Sequence, residues 1–231
     1  MLDLFDGEHD DEPLPVAVTG RESGSPLRDI PEGFGRYLDL RPVGDSRRVY
    51  GLIVGGDSSV DSIPPPEGLS VKPPTVAADE LAGKPVRRTF VDQIYGYYRW
   101  TKLRRNQPEF ADLQDFHSGE KMTLLAHDPR TKDEMGRLLA DREQGGLSSL
   151  LEKYGRSLMD VLGTPSTRRR HQNVLEHLFG YLSELLPGER RADLLERIHS
   201  FGRGDRPLLD PLGALKREFE DRSIEWVSNQ T

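Results

Sequence analysis

The sequence predicts a mainly α protein, with a C-terminal helical bundle preceded by a small irregular α/β or β-containing N-terminal region. Three observations lead there. Helical periodicity with capping residues dominates from residue 76 onward. Short apolar runs between Gly and Pro punctuation occupy residues 16–60. A proline-rich stretch at 61–75 separates the two.

Composition sets the limits. At 231 residues the chain can hold one large domain or two small ones and bury a sizeable core. Its 35% apolar and 31% charged residues suit a helix-rich protein with a thin core. No stretch approaches the roughly 18 apolar residues that a spanning helix needs. The opening MLDLFDGEHDDEP has neither a basic n-region nor an apolar h-region. No secretory signal is therefore expected, and a cytoplasmic location follows as the default. Zero cysteines exclude a disulfide, a thiolate nucleophile and a cysteine-held metal cluster. Asp3, Asp6, Glu8, Asp10, Asp11 and Glu12 carry most of the formal net charge of −7. Residues 1–15 therefore read as an acidic, disordered leader, and the remainder is close to neutral.

Strand candidates are PVAV (15–18), RYLDL (36–40) and RVYGLIV (48–54). The prolines of GGDSSVDSIPPPEGLSVKPPT (55–75) favour an extended spacer. Thr89 with Asp92 three residues later has the form of a capping box before the first helix. Asn106-Gln107-Pro108 closes that helix and opens a second, running to about Ala126. Asp128-Pro129 and Thr164-Pro165 each set a capping residue before a proline, which predicts helices near 129–142 and 165–186. The segment 147–163 is amphipathic and ends on Gly163, and Pro187-Gly188 stops the long helix. Further helices are predicted near 189–201 and 210–222.

Two segments carry a resemblance. FHSGEKMTLLAHDPRTKDEMGRLLA (116–140) and RHQNVLEHLFGYL (170–182) are similar to signatures of the YbgA-like helical family, and LLERIHSFGRGDRPLLDPLGALK (194–216) is a weaker match. The motif positions are Phe116, His117, Lys121, His127, Gly136, Arg137, His171, Asn173, His177, Gly180 and Tyr181. The likeness spans residues 110–231, within a helical domain taken as 76–231. The closing Asn229-Gln230-Thr231 also resembles the family's end, which usually continues into an aromatic and proline tail, so a truncated C-terminus is expected. The resemblance implies no settled activity. Such domains often follow a thiouracil desulfidase-like domain that holds an iron–sulfur cluster on cysteines and acts on thiolated bases or tRNA. The stretch 25–56 has a faint likeness to that domain, as a degenerate relic within 16–60. Without cysteines it lacks the cluster ligands.

Projection at about 100° per residue shows which motif residues break the helical pattern. His117 and Lys121 fall inside the apolar arc that Leu113, Leu124, Phe110 and Leu125 define, and His171 falls in the centre of the next motif's apolar stripe. Asn173 and His177 lie outside that stripe, near Arg170. Lysine on an apolar face either snorkels or marks a buried polar site, and a core histidine commonly bonds to a carbonyl. His117, Lys121 and His171 are therefore catalytic candidates in a convergent site, with His127 nearby. No HExxH or His-x-His spacing supplies a metal set, so neither metal nor cofactor is expected.

From Lys84 to Arg105 there are seven basic residues and one acid, Asp92, interleaved with Tyr95, Tyr97, Tyr98 and Trp100. Val91, Ile94, Tyr95 and Tyr98 share one face, whereas Tyr97 and Trp100 point elsewhere. The nucleic-acid candidates are Arg87, Arg88, Tyr97, Arg99, Trp100, Lys102, Arg104 and Arg105, with Arg168, Arg169 and Arg170 at a later helix start. The alternative is that these aromatics are core and the charges solvate the surface. The function expected is an RNA-associated (tRNA-like) binding or accessory protein. An enzyme using the His/Lys site and an adaptor docking a protein partner through the N-terminal region remain alternatives. No membrane partner is expected, and the sequence leaves the oligomeric state open.

Overall fold

A computed structural model describes residues 13–19, 38–42, 49–55, 63–141 and 146–224. The acidic residues up to Glu12, most of the relic stretch, residues 56–62 of the expected spacer and the closing Asn229-Gln230-Thr231 lie outside the described residues. The protein is mainly α with a β-containing N-terminal region. Its described elements run β1 (Leu14–Thr19), β2 (Leu38–Pro42), β3 (Leu52–Val54), β4 (Thr75–Ala77), a 3-10 turn (Asp79–Ala82), then α1 (Lys84–Arg105), α2 (Phe110–His127), α3 (Pro129–Ala140), α4 (Gly146–Leu162), α5 (Arg168–Leu182), α6 (Gly188–Arg203) and α7 (Leu209–Glu220). The chain forms two compact units, each assembled from separated segments. Of the described residues, one comprises those within 13–116 and 133–165, and the other those within 117–132 and 166–224.

The first unit is built on a four-stranded parallel sheet of order β2-β1-β3-β4. Parallel strands need crossovers and cover on their faces. Alternation along β1 supplies one covered face. Leu14, Val16 and Val18 join Ile53, Val76, Phe90, Val91, Ile94 and Tyr97 in one buried cluster, while Ala17 meets Val49 and Leu52 in another. The Pro-rich stretch, expected as a spacer, behaves differently. Val71 is buried in the sheet–helix cluster, and Thr75–Ala77 pairs with β3 as the fourth strand.

Helix α1 begins at Lys84, five residues before the expected cap, with Pro85 in its first turn. Thr89 and Asp92 are buried inside it rather than capping it. Helix α4 runs against α1 within the same unit. Its stripe of Leu150, Leu151, Tyr154, Leu158, Val161 and Leu162 is buried. Trp100 stacks on Tyr154 at 5.5 Å between ring centroids and meets Phe116 edge-on at 5.6 Å.

The second unit gathers the C-terminal half of α2 with α5, α6 and α7. Met122, Leu125 and Ala126 join Val174, Leu175, Leu178, Leu182, Leu194, Ile198, Phe201, Leu212, Leu215 and Phe219 in its core. Asp128 caps α3 as expected, accepting from the Arg130 amide at 3.1 Å and the Thr131 hydroxyl at 2.7 Å. The start of α5 differs from expectation. Thr167, not Thr164, is its cap, accepting from the Arg170 amide. Among the described residues, no helix is long and apolar enough to cross a membrane.

Candidate functional site

Helix α2 carries the first group of candidates. Its start is fixed by the Asp112 carboxylate, which accepts from the Glu109 amide at 2.7 Å in the manner of a capping box. From there Leu113, Glu120, Leu124 and His127 are buried at helical spacing, and His117 is half-buried between them. Lys121 is exposed, which corrects its expected place in the buried arc. The covered stripe is centred on Glu120, on the other side of Leu113 from Lys121, so the lysine stem reaches water without crossing apolar surface.

Burial pushes the His117 imidazole down to about 4, helped by the positive charges of Lys121 and Lys132 and opposed by Glu120. The ring is neutral at pH 7. That value lies far below the near-neutral optimum of a general base, so His117 with Lys121 makes a poor acid–base pair.

His171 is buried, as its projection implies. Its Nδ1 lies 2.8 Å from the Thr167 carbonyl oxygen. A carbonyl can only accept, so Nδ1 carries the proton and the ring serves the first turn of α5. One residue earlier, the Arg170 guanidinium donates to the carbonyl of fully buried His127 and ties the end of α2 to the start of α5. Arg168 donates to the Phe201 carbonyl at 2.9 Å and lies over the Phe201 ring, closing the end of α6. The structure thus brings His127 together with Arg170. Among the described residues, no group of three or more His, Cys, Asp or Glu side chains is arranged to hold a metal ion. A cavity of about 260 Å³ lies elsewhere in this unit, lined by Glu189, Arg190, Asp193, Leu194, Ala214 and Glu218. None of the sequence candidates lines it.

The nucleic-acid candidates divide by burial. Tyr97 is fully buried, and its hydroxyl donates to the Val71 carbonyl at 3.2 Å. Trp100 is held between Tyr154 and Phe116. Neither offers a ring face to a base, which corrects their place among the stacking residues. Arg87 donates to the carbonyls of Leu81 and Ala82, and Arg104 to that of Gly68, so both serve the fold. A basic stripe remains. At about 100° per residue, Lys84, Arg88, Tyr95, Arg99 and Lys102 fall on one side of α1, with Lys84 and Lys102 exposed and the other three half-buried. Arg105 is exposed on another side. The one acid of the segment, Asp92, is 4% exposed.

The remaining motif residues lie outward. Gly136 is half-buried and Arg137 exposed on α3. On α5, Arg169 and His177 are exposed, Asn173 is half-buried and Tyr181 is half exposed, at 51%. A Cβ at Gly180 would meet nothing within 4 Å. The sequence projection sets Glu120 beside Leu113, within bonding reach of the candidates, whereas buried Thr123 was missed. The signal was the spacing of Leu113, Glu120, Leu124 and His127, which marks one seam of a helix.

A family model described as "Protein of unknown function (DUF1722)" matches residues 121–231. The "Uncharacterized protein YbgA" of Escherichia coli (strain K12) is 30% identical over 139 residues, covering 60% of this chain and 82% of that protein. No solved structure matches. With a relative 30% identical of which it covers 82%, the chain belongs to the YbgA-like family.

Proposed function

We propose that the chain is a cytoplasmic, RNA-associated binding or accessory protein with no iron–sulfur chemistry of its own. One observation carries this reading: the basic stripe along α1. Lys84, Arg88, Arg99 and Lys102 lie on one side of a helix whose one acid is covered. At about 1.5 Å per residue the stripe extends for ~27 Å, long enough to follow several phosphates. With Tyr97 and Trp100 buried, the contact is with the backbone and is insensitive to base sequence.

Binding of labelled tRNA or single-stranded RNA should therefore weaken with salt. Two phosphates neutralised by exposed Lys84 and Lys102 give a slope of about −0.7 × 2, or roughly −1.4, in log K against log salt. Between about 50 and 200 mM salt the affinity should fall roughly sevenfold. Lys84→Glu and Lys102→Glu should each weaken binding and flatten the slope by about one unit. Absence of binding at low salt, or a slope unchanged by both reversals, overturns the proposal.

A further inference from the structure

Three arginines of α1 differ in what their guanidinium groups do. Arg87 donates to the Leu81 and Ala82 carbonyls at 2.8 and 2.9 Å, and Arg104 donates to the Gly68 carbonyl at 3.2 Å. Arg88 has no such task. Among the described residues its guanidinium makes no hydrogen bond or ion pair, and its Nε is buried without a partner. Its two terminal nitrogens are not cut off from solvent in the same way. The half-buried side chain therefore keeps one edge of its fork in the protein and presents the other outward.

Nothing in the fold repays this arrangement. A guanidinium carries five N–H donors, and burying one of them unpaired removes its water without replacing it. A snorkelling arginine sets its whole head in water, whereas part of this head is held back. A planar fork fixed in place and partly stripped of water gains more from an anion than a fully hydrated ammonium does. Exposed Lys84 stands one turn earlier, about 40° away around the helix. Residues four apart on a helix are neighbours at about 6 Å, so one anion can meet both. The first turn of α1 holds no acid, and Asp92, one turn beyond Arg88, is covered. Just upstream, the Glu80 carboxylate accepts from the Ala77 amide at 3.3 Å.

We propose that Arg88 is the phosphate anchor of this face: its outward edge takes both non-bridging oxygens of one RNA phosphate, the same phosphate that Lys84 neutralises. The proposal rests on the reading of α1 as an RNA-binding face, and adds a residue whose shape matters as well as its charge. Two parallel N–H donors match two phosphate oxygens, a geometry that lysine cannot reproduce. Because Arg88 and Lys84 share one phosphate, Arg88 strengthens binding without raising the number of phosphates neutralised.

Titration of the full chain with labelled single-stranded RNA, from about 50 to 200 mM salt, tests this. Arg88→Lys keeps the charge and loses the fork. It should weaken binding about fivefold, the loss of one charge-assisted hydrogen bond, while the salt slope stays at the wild-type value. Lys84→Glu, by contrast, should flatten the slope. Arg88→Met should weaken binding about tenfold or more. It should also unfold at or above the wild-type urea midpoint, because it removes a buried donor that has no partner. Arg88→Lys binding like the wild type overturns the proposal and leaves the RNA reading standing. So does a lowered midpoint in Arg88→Met, which assigns the residue to the fold. Poly-glutamate bound as tightly as RNA, and lost in Arg88→Lys, assigns the fork to an acidic protein and also overturns it. A wild type that binds no RNA at low salt overturns both this proposal and the reading beneath it.

Discussion

The contact between α1 and α4 makes a prediction whose size can be worked from the structure. A Cβ added at Gly155 would lie 2.8 Å from the Cε2, Cζ2 and Nε1 atoms of Trp100. Carbon atoms in comfortable contact are about 3.5–4.0 Å apart, so the indole would have to retreat by roughly 0.7 Å. It has little freedom to do so, being 1% exposed, stacked on Tyr154 and met edge-on by Phe116. Forcing one methyl group into such a site costs about 1–3 kcal/mol. Alanine also gains about 1 kcal/mol over glycine in a helix. Gly180→Ala receives the same helical gain with no clash, so the difference between the two variants isolates the collision. Urea unfolding at low micromolar concentration should place Gly155→Ala about 1–3 kcal/mol below Gly180→Ala. Adding Trp100→Phe, which shortens the ring, should make Gly155→Ala less damaging than it is alone. If the two alanine variants agree within about 0.5 kcal/mol, or Trp100→Phe brings no relief, the close approach is not there.

Further expectations concern the polar interior. Tyr97→Phe removes a hydroxyl bonded to a buried carbonyl and should cost about 1 kcal/mol in urea titrations. Arg170→Met removes the charged donor to the His127 carbonyl; a loss of about 1.5–3 kcal/mol is expected from the unfolding midpoint. His117 titrates at about 4 when folded against 6.5 as a free group. Between those values the unfolded chain holds the extra proton, so stability should rise with pH from about 4 to 6.5 and level off above. In His117→Gln that rise should shrink, and an unchanged pH profile of unfolding midpoints would show that the ring is not buried as described.

Much of the helical order was legible because it was punctuated. Asp128 before Pro129 is a local signal that marks the start of α3, whereas Pro187-Gly188, expected to stop the long helix, instead opens α6, and α5 ends earlier at Leu182. The start of α1 was misread because Thr89 and Asp92 have the spacing of a cap. Pro85 and the carbonyls held by Arg87 start the helix earlier. The fourth strand was hidden by its brevity. Thr75–Ala77 is three residues long, and a short parallel strand shows no alternation to detect. Tyr97 and Trp100 pointed away from the first apolar face for a physical reason that a single-helix projection cannot show. Helix α1 buries two sides, one against the sheet cluster and one against α4. Lys121 failed for the opposite reason. Leu125 and Phe110 widened the expected arc towards Lys121, whereas the covered stripe lies on the side where the projection sets Glu120.

The interleaved segments of the two units bear on how the chain can be divided. The family match begins at residue 121, yet α4 belongs to the unit that contains the sheet and α1. A fragment cut at that point would keep Leu150, Tyr154, Leu158 and Leu162 while discarding Trp100 and the other α1 residues packed on them. Such a fragment would present a sticky, half-dressed helix to solvent and should be prone to aggregation. Boundaries drawn from sequence similarity therefore do not coincide with those of an autonomous folding unit. Protease nicking in the stretch between α3 and α4 would leave two pieces still clasped by the non-contiguous build of the unit.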